Sequence, residues 1–162
     1  MAIKGPASRS RKTPPPRSVY VDACVWIALL ANEPSSPMLQ NWLGEETGQI
    51  LTARWSLVEV ASGLAMKCRR KELDSTQMGE LLAHFEKLLH DEVTLMAIAG
   101  SDFDLAAAYC QNFESGLRAG DALHLAVAKR FGATHLLTLD KVLAAVAEKM
   151  GFKLVNISGR FA

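Results

Sequence analysis

Five short runs of β-branched or apolar residues alternate along the chain with seven longer stretches whose apolar positions recur at helical spacing. Strands are predicted at 18–21, 50–52, 93–96, 135–139 and 153–156. Helices are predicted at 23–31, 37–46, 57–70, 76–90, 102–113, 122–131 and 141–150. Strands separated by helices need crossover connections, which set neighbouring strands parallel and cover both faces of the sheet. The expected class is therefore α/β, three layers deep, with a mostly parallel central sheet. Boundary residues agree with this pattern. Ser56 with Glu59, and Ser101 with Asp104, read as capping boxes that open helices. Gly132 and Gly151 follow the basic ends Lys129-Arg130 and Lys149, as left-handed helix stops and the helix dipole favour.

Composition narrows the class. A chain of 162 residues, 49% apolar and 22% charged, is long enough for one sizeable core and unlike a disordered, collagenous or coiled-coil sequence. No apolar run approaches the ~20 residues of a membrane span, so a soluble protein is expected. Three cysteines without a CxxC pair argue against a disulfide framework or a zinc knuckle and fit a reducing compartment, the cytoplasm. The net charge of +1 conceals an asymmetry: residues 1–17 carry +5 and no acid, leaving −4 on the remainder. The Pro14-Pro15-Pro16 run opposes an amphipathic targeting helix, so 1–17 is read as a basic disordered leader and 18–162 as the folded domain. Such a leader serves either as an arm for nucleic acid or as an inert extension.

In a parallel sheet, functional groups gather at the carboxyl ends of the strands. Asp22 follows the first strand, Asp140 follows the fourth, Asp121 heads an apolar helix, and Glu59 opens the helix entered from the second strand. Singly, each reads as an ordinary helix cap. Together, four acids at one edge repel unless a cation neutralises them, and carboxylates without neighbouring His or Cys suit Mg²⁺ or Mn²⁺ better than zinc. His124, on an apolar helix, is read as an interior histidine in preference to a general base. Trp26, Trp42 and Trp55 read as core or as interface anchors. Arg54, Arg118 and Lys141, near the acids in sequence, read as solvated charge or as holders of substrate phosphates. No G-x-S-x-G elbow, P-loop or dinucleotide motif is present.

The segments Val19-Tyr20-Val21-Asp22-Ala23-Cys24, Ser56-Leu57-Val58-Glu59-Val60, Gly120-Asp121-Ala122-Leu123-His124-Leu125-Ala126 and Leu137-Thr138-Leu139-Asp140, with acids 37, 62 and 19 residues apart, resemble a PIN domain. The likeness is greatest to the VapC-like ribonuclease toxins and covers 18–156. It implies that Asp22, Glu59, Asp121 and Asp140 form a catalytic and metal-binding quartet for Mg²⁺ or Mn²⁺, with Thr138 as a hydroxyl neighbour. The implied activity is metal-dependent hydrolysis of RNA phosphodiesters by the toxin of a toxin–antitoxin pair. Implied partners are RNA, a cognate antitoxin lying across the early helices, and a second copy in a homodimer. Many members carry Ser or Thr just after the first Asp, whereas this chain has Ala23 and Cys24, so a hydroxyl contact is expected to be lost there. Two other readings use the same residues: a non-catalytic PIN-like module binding RNA or protein, and a structure-specific DNA nuclease.

Overall fold

The computed structural model describes residues 16–157, so residues 1–15 of the leader read at 1–17 and the residues after 157 lie outside it. Five strands, β1 (Ser18–Val21), β2 (Gln49–Ala53), β3 (Val93–Met96), β4 (His135–Leu137) and β5 (Lys153–Leu154), form one sheet in the order β3-β2-β1-β4-β5. Every pairing is parallel. The α-helices are α1 (Ala23–Leu30), α2 (Ser36–Glu45), α3 (Trp55–Arg69), α4 (Ser75–Asp91), α5 (Gly100–Cys110), α6 (Ala119–Arg130) and α7 (Lys141–Lys149). None is long and apolar enough to cross a membrane.

Alternation along β1 divides the core. Val19 and Val21 pack on one face with Trp26, Leu39, Trp42, Leu64 and Phe85 from α1 to α4. Tyr20 packs on the other with Leu125 and Val127 of α6 and Leu143 of α7. Helix α5 joins through Ala106 against Ala122 and Ala126. Because the chain adds β2 and β3 on one side of β1 and then returns to place β4 on the other, its direction of winding reverses between β1 and β4. That reversal opens a crevice at their carboxyl ends.

Several boundaries differ from the sequence reading. β4 stops at Leu137 because Thr138 turns its hydroxyl onto Asp22. α3 begins at Trp55, with Ser56 buried inside it and bonded to Thr52 Oγ1 at 2.8 Å, so Ser56 and Glu59 form no capping box. The predicted box at Ser101 and Asp104 is likewise absent: Asp102 accepts the Ala99 amide at 2.8 Å and is clamped by Arg130. A capping box does open α4, from Asp74 and Gln77. Gly132 and Gly151 adopt φ of +68° and +93°, the left-handed stops expected of them. Arg17, assigned to the leader, makes a paired contact with Glu46 at 2.9 Å.

Candidate functional site

Asp22 stands at the N-cap position of α1 but makes no capping bond. Its carboxylate instead looks along the sheet edge. Thr138 Oγ1 donates to Oδ2 at 2.8 Å, Cys24 Sγ donates to the same oxygen at 2.8 Å, and His124 Nε2 stands 3.2 Å from Oδ1. No hydroxyl directly follows Asp22, but the Cys24 thiol donates to its carboxylate. Burial, and then the neighbouring Asp22 charge, push the Cys24 thiol up to about 12, so it stays protonated and able to donate. The Leu139 amide donates to Cys24 Sγ and the Asp140 amide to Thr138 Oγ1, which ties both donors to the end of β4.

Glu59 lies a full turn inside α3. Its Oε2 is 2.6 Å from His124 Nε2, and a Cβ placed on Gly120 would lie 2.7 Å from its Oε1. Glycine at 120 thus lets α6 pass against the Glu59 carboxylate. Trp55, beside the same glycine, buries its indole N–H without a partner.

Asp121 sits in the first turn of α6, past the N-cap, and is half-buried. Burial raises its pKa above the ordinary carboxylate value, as do the charges of Asp22 and Asp140, against a backbone hydrogen bond at Arg118. Asp140 caps α7 from the N-cap position: its Oδ1 accepts the amides of Val142 at 2.7 Å and Leu143 at 2.9 Å. The four acids therefore share one edge in two sub-groups. Asp22 and Glu59 converge on His124, while Asp121 lies within reach of the charges of both Asp22 and Asp140. Among the described residues no Lys or Arg pairs with any of the four. Arg54, Arg118 and Lys141 are exposed at the heads of α3, α6 and α7.

The expectation of an acidic cluster without a nearby histidine is corrected here. His124 is interior, with no exposed surface, yet its partners are the acids themselves and Tyr20 Oη, 2.7 Å from Nδ1. Burial alone would lower its pKa, but the Glu59 hydrogen bond and the charges of Asp22, Glu59 and Asp121 raise it above the ordinary value. Two signals in the sequence lead to this arrangement. His124 follows Asp121 by three positions on one helix, so the two share a face. Tyr20 precedes Asp22 by two at the end of β1, where the backbone is still extended, so it too lies on the same side.

A PIN domain family model matches residues 19–149. A sequence search of curated proteins finds no match. Among solved structures the chain is similar to the Mycobacterium tuberculosis VapC20, a Sarcin-Ricin loop cleaving toxin, at TM-score 0.65 and 18% identity over 79% of this chain and 94% of that one. It is similar to a toxin-antitoxin complex from Klebsiella pneumoniae at TM-score 0.61 and 17% identity, covering 86% of this chain and 97% of the other. A third similarity is to VapBC2 from Rickettsia felis bound to a promoter DNA fragment, at TM-score 0.58 and 15% identity, with coverage of 86% and 98%. The structural likenesses fix the fold, and the family model, spanning the elements from β1 to α7, makes this chain a member of the PIN domain family.

Proposed function

We propose that this protein is a metal-dependent endoribonuclease acting as the toxin of a toxin–antitoxin pair. The observation that carries the reading is the gathering of Asp22, Glu59, Asp121 and Asp140 at one sheet edge, with Asp121 raised by burial and by the charges of Asp22 and Asp140. Carboxylates collected without a Lys or Arg partner fit a divalent cation, and their oxygens suit Mg²⁺ or Mn²⁺. Such an ion, when bound, supplies charge to the phosphoryl oxygens and activates water. The protein's own part is positional. Thr138 and Cys24 hold Asp22 Oδ2 and leave Oδ1 facing the site, while capping leaves Asp140 its Oδ2. Glu59, gripped by His124 and confined by Gly120, is the residue placed to orient the attacking water. Arg54, Arg118 and Lys141 provide a cationic rim for phosphates on either side of the scissile bond.

The partner readings have surfaces to match. A groove of about 510 Å³ between α1, α2 and α4, lined by Trp26, Leu29, Leu43, Phe85 and Leu88, suits an apolar antitoxin segment. Phe103 and Val58, each 55% exposed, offer apolar surface for a second copy. The setting is the cytoplasm, where the free thiols persist, with 1–17 as a basic leader ahead of the domain at 18–162. Incubation of matched RNA and DNA substrates with Mg²⁺, Mn²⁺ or a chelator tests the activity. Cleavage of RNA alone, abolished by chelation, is the expected result; DNA cleavage, or cleavage in chelator, overturns it.

A further inference from the structure

The nitrogen in the acidic cluster changes which ions the site accepts. Among the described residues, the His, Cys, Asp and Glu side chains placed to hold one ion are Asp22, Glu59 and His124, whose ligand atoms lie within 4.8 Å of one another. Carboxylate oxygens alone favour Mg²⁺, whereas imidazole suits zinc and its first-row neighbours. Histidines that ligate metals almost always have a partner on the other ring nitrogen. Here that partner is Tyr20 Oη, 2.7 Å from Nδ1 and buried. A phenol hydroxyl both donates and accepts, so this contact persists whichever ring nitrogen carries the proton. The 3.2 Å between Nε2 and Asp22 Oδ1 is close to the ~3.3 Å that two ligands make on one tetrahedral ion with bonds near 2.0 Å. Glu59, with its side chain 29% exposed, reaches the solvent side of the cluster, so an ion entering from there must part it from His124 beyond 2.6 Å.

We propose that Asp22 Oδ1, Glu59 Oε2 and His124 Nε2 form a three-ligand site for a first-row transition-metal dication of the Zn²⁺ class. The ion replaces the proton that Nε2 shares with the two carboxylates, and that proton passes to solvent. The proposal extends the metal part of the nuclease reading, but its test measures binding without RNA, so the two fail separately.

The test uses the full chain freed of metal by chelation, with Zn²⁺ and Mg²⁺ titrated calorimetrically and histidine ¹⁵N spectra recorded on the wild-type protein. Zn²⁺ is expected to bind at least 100-fold tighter than Mg²⁺ and to shift the ring nitrogens of one of the four histidines. His124→Asn is expected to remove that signal and to weaken Zn²⁺ at least tenfold more than it weakens Mg²⁺. Tyr20→Phe, which keeps the ring, is expected to weaken Zn²⁺ about tenfold through loss of the outer partner. Because removing a buried histidine can unfold the chain, the wild-type spectrum decides the matter alone if His124→Asn melts below the assay temperature. Zn²⁺ that binds without perturbing any histidine nitrogen, or that loses no more than Mg²⁺ in a folded His124→Asn protein, overturns the proposal.

Discussion

His124 Nε2 and Glu59 Oε2 stand 2.6 Å apart although 65 residues separate them in the chain. This contact joins α6 to α3 across the sheet edge and places a titratable group of raised pKa inside a cluster of acids. Asp121 is raised as well. A group that binds its proton more tightly folded than unfolded contributes stability at low pH and loses it as pH rises through the folded value. For Asp121 the loss begins above the ordinary carboxylate value of 3.8, and for His124 above 6.5. Thermal melting of the metal-free protein should therefore fall between pH 6 and 8.5, and saturating Mn²⁺ should flatten the trend. A metal-free Tm that climbs over this range would be the wrong sign.

The Gly120 position separates stability from chemistry. A methyl group there meets Glu59 Oε1 at 2.7 Å and Trp55 Nε1 at 3.3 Å, so the carboxylate must move. Alanine favours the helix by roughly 0.5–1 kcal/mol over glycine, which offsets part of the crowding. Gly120→Ala should keep Tm within about 3 °C and lower kcat more than tenfold, measured by single-turnover RNA cleavage. Retention of full kcat would show that Glu59 needs no fixed position.

Cys24 acts as a donor to Asp22, so the hydroxyl of Cys24→Ser should preserve activity within about threefold. Cys24→Ala leaves Oδ2 with Thr138 alone and should weaken Mn²⁺ binding, read by calorimetry. A thiol whose pKa is about 12 exposes almost no thiolate at pH 8. Alkylation of the folded wild type at that pH should spare Cys24, and rapid labelling there would contradict the hydrogen bond.

Asp140 carries two duties that substitution can split. Serine caps a helix nearly as well as aspartate, whereas alanine costs about 1 kcal/mol. Asp140→Ser should hold Tm while abolishing cleavage, and Asp140→Ala should lose cleavage and about 2–4 °C of Tm. Equal melting of the two variants would remove the capping role.

The strand-end aspartates were legible because parallel strands share a direction, so Asp22 and Asp140 had to emerge at one edge. Thr138 was implied only by the resemblance to a PIN domain, and its hydroxyl is found on Asp22. Less legible was what each carboxylate does. Asp22 occupies a capping position yet caps nothing, because Thr138 and Cys24 out-compete the α1 amides for it. Glu59 was misread as part of a capping box, since local spacing carries no trace of a histidine that the fold brings from α6. His124 was recognised as interior from its apolar helix, but its partners depend on the tertiary approach that Gly120 permits.

The proposed metal-dependent RNA cleavage rests on the acids at this edge. The most direct measurement is the single-turnover rate on RNA in Mg²⁺ or Mn²⁺ for the wild type, Asp22→Asn and Asp121→Asn, each checked for folding by circular dichroism. Wild-type cleavage that a chelator abolishes is expected, with rates at least 100-fold lower in both folded variants. Wild-type rates surviving in both would contradict that role of the acids.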